Sequence, residues 1–221
     1  MDKKQNQVLS ETVYQQVLDL IMTKRIQCGE RISEERIAQM LGISRTPIRE
    51  AMRRLSNEGI VNIYPKRYAE VVTIDETFIK DLGTVRITMD TLAALLAIDH
   101  GSNNDFLELK DIADKCMAAA QRGDINERIR LDSSFHTQLT EISGNPILVK
   151  MQKELYLKVS LVQVIKYKDI EDSVKRVEGH FAIIDALLKR DTRAVIKSIQ
   201  DHLGAFYALD SIPKTFPIIV E

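Results

Sequence analysis

Apolar residues recur at helical spacing over residues 10–26, where Val13, Val17, Leu20 and Ile21 share one face. The pattern breaks at Cys28-Gly29-Glu30. A short helix follows, with Ser33 as N-cap and Glu34 and Glu35 in the first turn, where the helix dipole favours anions. It places Ile37, Met40 and Leu41 on one side and ends at Gly42. Ser44 caps a third helix over 45–58, which carries Pro47 in its first turn and turns Ile48, Ala51, Met52 and Leu55 inward. Beyond Gly59, two stretches rich in β-branched and aromatic residues, Ile60–Tyr64 and Tyr68–Ile74, flank Pro65-Lys66-Arg67 and predict a hairpin.

From Asp75 the period is helical almost to the end. The first long helix, 75–100, carries Phe78, Leu82, Val85, Met89, Leu92 and Leu96 as its inward stripe and stops at Gly101. Further helices are expected over 103–122, 125–143, 146–168, 170–190 and 192–209, punctuated by Gly123, Ser143-Gly144-Asn145-Pro146 and Arg190-Asp191. The expected architecture is mainly α. A winged helix-turn-helix of three helices and a β-hairpin spans residues 1–74, and an all-α helical-bundle ligand-binding domain spans 75–221.

Composition narrows the class. Apolar residues make up 44% and charged residues 29%, the balance of a folded globular chain. The start has no apolar secretory segment, no apolar run is long enough to span a bilayer, and two distant cysteines fit a reducing compartment, so a cytoplasmic protein without membrane contact is expected. The net charge of −1 conceals an asymmetry: residues 44–68 hold six basic and two acidic side chains. A local basic patch on a neutral protein is what phosphate contact requires.

Helix 45–58 is the second of a helix-turn-helix pair and therefore the expected recognition helix. Arg45, Arg49 and Arg53 recur every fourth residue on a face away from its apolar stripe. A guanidinium can hold O6 and N7 of guanine with two parallel bonds, so this spacing suits the major groove of double-stranded DNA. Thr46 can bond a phosphate or touch a thymine methyl, and Lys66 and Arg67 sit at the hairpin tip, where a wing meets the backbone or minor groove. A palindromic operator would be read by a homodimer, with recognition helices about 34–36 Å apart.

Three of the four histidines, His136, His180 and His202, fall on or beside apolar helical stripes, and Asp132 precedes His136 by one turn. Such residues are either internally satisfied core groups or ligands. A divalent transition metal would satisfy all four; Zn²⁺, Ni²⁺, Fe²⁺ and Mn²⁺ suit this donor set, with zinc expected in purified protein. The same four residues could serve a metal-dependent hydrolase or oxygenase, although no convincing base or nucleophile motif accompanies them.

Gly29-Glu30-Arg31-Ile32-Ser33-Glu34-Glu35, Leu41-Gly42-Ile43-Ser44-Arg45-Thr46-Pro47-Ile48-Arg49-Glu50-Ala51, Arg54-Leu55 and Glu58-Gly59 closely resemble the GntR family of bacterial regulators. By that resemblance Arg45, Thr46 and Arg49 read the operator. The wing departs from the family pattern: Lys66-Arg67-Tyr68 stands where a glycine-containing tip is frequent.

The second half, through Leu131-Asp132, Phe135-His136, Leu139, Ser143-Gly144-Asn145-Pro146, His180-Phe181 and Asp201-His202-Leu203, resembles the FCD sensor domain of the FadR-type branch. The resemblance implies that Asp132, His136, His180 and His202 hold a metal. It also implies that Arg86 contacts a small organic acid effector, or else pairs with Asp90 one turn on. Many FCD domains carry Glu-His at the second motif, whereas here Gly179 separates Glu178 from His180. The implied function is a transcriptional regulator, read as a repressor, and not an enzyme.

Overall fold

The computed structural model describes residues 3–65 and 67–209, with side chains from residue 9 onward. The chain forms two compact units that divide between Asp75 and Glu76.

The first unit runs α1 (Lys3–Met22), β1 (Arg31–Ile32), α2 (Glu34–Leu41), α3 (Arg45–Asn57), β2 (Val61–Tyr64) and β3 (Tyr68–Val71). Its core is Val13, Val17 and Ile21 from α1, Ile37 from α2, and Ile48, Met52 and Leu55 from α3. Ser33 accepts the Arg36 amide at 3.1 Å to start α2, and Gly42 ends it at φ +66°, a left-handed turn that only glycine enters without strain. Ser44 occupies the N-cap of α3 without a side-chain bond to the helix, so its capping role is positional only. Met40, expected inward, is exposed; of the residues of α2 only Ile37 is buried.

The hairpin pairs Val61 with Val71 and Tyr64 with Tyr68. A third strand, β1, pairs Arg31 with Glu70, giving an antiparallel sheet of order β1-β3-β2. The sequence reading treated Cys28-Gly29-Glu30 as a break and passed over the two residues that follow. A two-residue strand is too short to show a period.

The second unit is all helical: α4 (Glu76–His100), α5 (Asn103–Gln121), α6 (Ile125–Ile142), α7 (Pro146–Lys166), α8 (Ile170–Leu188) and α9 (Thr192–Gly204). Short polar caps start these helices: Ser102 with Asp105 in a capping box, then Asp124, Asn145 before Pro146, Asp169 and Asp191. Helix α4 packs on α6, α7 and α9, and α8 packs on α5 and α9.

Two expectations are corrected. Helix α4 buries Leu82 and Met89 as expected and also turns Arg86, Ile87, Asp90, Ala93 and Ala97 inward, while Val85 and Leu92 are 47% and 43% exposed. Only part of the stripe of large apolar side chains therefore meets the packed face, where alanines let the neighbouring helices approach. Helix α9 stops at Gly204 rather than continuing to 209, and the turn that follows buries Phe206 and Tyr207. Tyr207 lies so close over Gly83 of α4 that any Cβ there would collide with its ring. Among the described residues no helix is long and apolar enough to cross a membrane.

Candidate functional site

Helix α3 presents Arg45, Thr46, Arg49 and Arg53 to solvent. Two of these arginines are held by α2. Arg49 donates through Nε and Nη2 to the Glu34 carboxylate at 3.1–3.3 Å, and Arg45 Nη2 lies 3.1 Å from Glu35 Oε1. Both pairs are exposed, and such pairs contribute little, so a phosphate or base edge can replace them. The sequence reading assigned Glu34 and Glu35 to the helix dipole alone; their grip on the arginines was not visible without the fold. Arg54 points elsewhere, stacking on Tyr14 and pairing with Glu11 and Glu58, and so ties α1 to α3. Arg67 is exposed in the turn of the hairpin, and Lys66 lies outside the described residues.

In the second unit α6 carries Asp132 and His136 on its inner face, α8 brings His180 and α9 brings His202. One ligand atom from each lies within 4.8 Å of the others. Donors held at about 2.1 Å by one tetrahedral cation stand about 3.4 Å apart, so the side chains would draw together by up to about an ångström to close on it. Asp132, His136 and His180 are buried; His136 Nδ1 lies 3.0 Å from Asp90 Oδ2 and His180 Nε2 3.4 Å from Asp132 Oδ1, and the other four ring nitrogens of the three histidines have no polar partner. A buried polar atom left unpaired costs roughly 1–3 kcal/mol, so three such rings in contact are an expensive way to fill a core. The donor set and its unpaired nitrogens therefore fit a divalent cation.

Around these four lies a polar layer. Arg86 is fully buried. Its Nη2 lies 3.4 Å from Asp132 Oδ2 and donates to the Tyr156 hydroxyl at 3.2 Å; Nη1 donates to the Tyr207 hydroxyl at 3.1 Å; Nε lies 3.4 Å from Asp90 Oδ2. Of the two alternatives for Arg86, the pairing with Asp90 is present, and the guanidinium also reaches Asp132 of the cluster. Asp90 in turn places Oδ2 at 3.0 Å from His136 Nδ1 and accepts from Gln152. Gln163 donates to Asp132 Oδ2 at 2.6 Å and accepts from Arg128 at 2.6 Å.

Asp90, Arg128, Tyr156, Gln152, Gln163 and Tyr207 were not read from the sequence as site residues. One available signal was the placement of Arg128, one turn before Asp132 on the same helix. Asn145 caps α7 by accepting the Ile147 and Leu148 amides at 3.1 Å.

The charges hold one another. Burial would raise the Asp132 pKa, but contact with His180 and the charge of Arg86 outweigh it and hold the carboxyl well below its usual range. Burial pushes His180 down against the pull of Asp132, and pushes His202 further down, with His180 and His136 adding to the effect. Arg86 stays charged: burial opposes it, but Tyr156, Tyr207, Asp132 and Asp90 prevail.

Two cavities meet at His202. The inner one, lined by Arg86, Arg128, Asp132, Gln163, Arg176 and Phe206 among others, is only about 20 Å³, room for a single water. The outer cleft, about 380 Å³, runs past Lys168, Arg176, Gly179, Asp201 and Phe206.

A sheet-backed helix-turn-helix with exposed arginines, followed by a helical unit with a buried polar site, is the arrangement of a DNA-binding transcriptional regulator. Comparison with known proteins makes the family plain. The FCD domain model matches residues 81–205, and that of bacterial regulatory proteins of the gntR family matches residues 9–71. The chain belongs to the gntR family, in the branch with an FCD domain.

It is 25% identical to the HTH-type transcriptional regulator McbR of Escherichia coli (strain K12), over 74% of this chain and 75% of that one. It is 24% identical to the HTH-type transcriptional repressor RspR of the same strain, over 88% and 87%. The solved structure of E. coli McbR superposes with a TM-score of 0.73 at 20% identity, covering 90% of this chain and 97% of that one. A solved metal-free FCD domain superposes at 0.51 with 23% identity, covering 62% and 93%. The structural likenesses establish the fold. The family and its relatives are regulators of transcription, which sets aside the hydrolase or oxygenase alternative.

Proposed function

We propose that this regulator binds a palindromic operator as a homodimer in the cytoplasm and acts as a repressor. In this reading residues 1–74 read DNA through Arg45, Thr46, Arg49 and Arg53, with Lys66 and Arg67 at the wing, and residues 75–221 sense a small organic acid. Asp132, His136, His180 and His202 would hold a divalent transition metal, Zn²⁺ in protein as purified, joining α6, α8 and α9. Bound there, the cation supplies positive charge at which an acid's oxygen can be ligated. The observation that carries this reading is the convergence of three buried or half-buried imidazoles on Asp132, with four of their six ring nitrogens in neither a hydrogen bond nor a carboxylate contact.

Charge balance supports an anionic effector. The buried guanidiniums of Arg86 and Arg128 already match the carboxylates of Asp90 and Asp132. A further two positive charges in this interior call for an anion. Arg86 can face a carboxylate with its planar fork, and Asp90 orients His136 from behind. Room for the acid must be made, because the inner cavity admits only a water-sized group. Helix α4 carries both Arg86 and Asp90 and begins at Glu76, directly after the division between the units. Displacement of α4 is thus the proposed route to the DNA-binding unit, limited by the effector's difference in affinity for the two states.

Support for the dimer comes from Val85 and Leu92, two large apolar side chains one heptad apart on α4 that a single copy leaves exposed. The test of this function is fluorescence anisotropy of metal-loaded protein on its own upstream DNA, at fixed salt, with and without a panel of small carboxylic acids. At least one acid should shift the operator dissociation constant several-fold. Unchanged affinity across the panel would contradict effector control.

A further inference from the structure

Gly179 stands inside α8, directly before His180, with no cap or kink near it. A glycine within a helix is disfavoured, because it adds backbone entropy to the unfolded chain and packs nothing. Its backbone here is ordinary helix, so conformation does not call for it. Space does. A Cβ at this position would press into His202 Nδ1 at less than any real contact, and would lie 2.9 Å from His202 Cγ and 3.0 Å from its Cβ. Those atoms belong to the root of the side chain and its ring, and they cannot swing aside without moving the imidazole. That imidazole has its centroid 4.8 Å from the His180 ring and 5.4 Å from the His136 ring.

We infer that Gly179 is a positioning residue for the metal site: its missing side chain lets α9 seat His202 against α8, where the ring joins Asp132, His136 and His180. The inference rests on the metal reading proposed above. In this chain the backbone of residue 179 and the imidazole of residue 202 fill one space together.

The test uses full-length protein titrated with Co²⁺ and with Zn²⁺ alone, comparing wild type with Gly179→Ala and with Ala182→Ser, a change in the same cleft wall one turn on. Gly179→Ala is expected to lower the metal-free Tm modestly, because the new methyl overpacks against the His202 ring by more than alanine's better helix propensity offsets. It is also expected to weaken Co²⁺ and Zn²⁺ binding roughly 10–100-fold, as loss of ligand positioning does, and to alter the visible Co²⁺ spectrum. Ala182→Ser should leave all three as in wild type. Wild-type binding together with unaltered affinity and spectrum in Gly179→Ala overturns this inference alone. A wild-type chain that binds neither ion overturns the metal reading and this inference with it.

Should Gly179→Ala unfold, the same change in a His202→Ala background decides the matter. With the ring removed, the alanine should raise Tm; equal destabilisation in both backgrounds would show that the contact with His202 is not the cause.

Discussion

Arg86 Nη2 lies 3.4 Å from Asp132 Oδ2, which places the guanidinium on the back of a carboxylate that also touches His180. The pair joins α4 to α6 in the interior. Removing one member of a buried pair leaves the other charge uncompensated, at a cost of about 3–5 kcal/mol. Arg86→Gln, which strands both Asp90 and Asp132, should therefore lower unfolding stability by about that amount in chelator-treated protein, measured by urea denaturation. A loss under about 1 kcal/mol would mean that the network does not depend on the charge.

Arg49 is gripped by Glu34 through two of its nitrogens, with the rest of the guanidinium open to solvent. Arg49→Ala should weaken operator binding by about one to two orders of magnitude and blur the preference for operator over random DNA. Glu34→Gln should have a smaller effect, since it frees the arginine rather than removing it. Equal loss on operator and on random duplex would place Arg49 on phosphate instead of bases.

Much of this was legible in the chain itself. Caps and glycines marked the helices, and Ser44–Ala51 carried both the recognition helix and the family likeness. The four proposed ligands were readable because imidazoles on apolar stripes are conspicuous. What was hidden depends on contacts far apart in sequence. Arg86 meets Tyr207 across 121 positions, and Gln163 meets Asp132 across 31. The inward face of α4 was read only in part, through Leu82 and Met89, because its other packing residues are alanines and its buried charges looked like surface.

Val85 and Leu92 are the clearest product of that misreading, being apolar yet uncovered. Val85→Glu with Leu92→Glu should turn the dimer into monomers in sedimentation analysis, and leave the helical circular dichroism unchanged. A double variant that still sediments as a dimer would move the interface elsewhere.

Stability should also depend on pH with a definite sign. His180 and His202 are held below the ordinary imidazole value of about 6.5, burial being the leading cause, so the unfolded chain takes up protons that the fold refuses. Stability of the chelator-treated protein is full above about pH 6.5 and falls as pH drops below it, by up to about 1.4 kcal/mol per unit for each histidine. Burial would raise Asp90 and Asp132 as well, but His136 and Arg86 hold Asp90 down, and His180 and Arg86 hold Asp132 down. A second loss therefore begins below about pH 4. Urea midpoints measured from pH 8 to pH 3 should trace both declines; a flat profile between pH 7 and pH 5 would contradict the burial of neutral imidazoles.

The most direct measurement is elemental analysis of protein purified without chelator, for wild type and His180→Ala. The account predicts about one divalent transition metal per wild-type chain, most of it lost in the variant, with a matching fall in Tm because binding to the fold stabilises it. Equal metal content in the two proteins, or a metal-free wild type whose Tm does not respond to added Zn²⁺, Ni²⁺ or Mn²⁺, would contradict it.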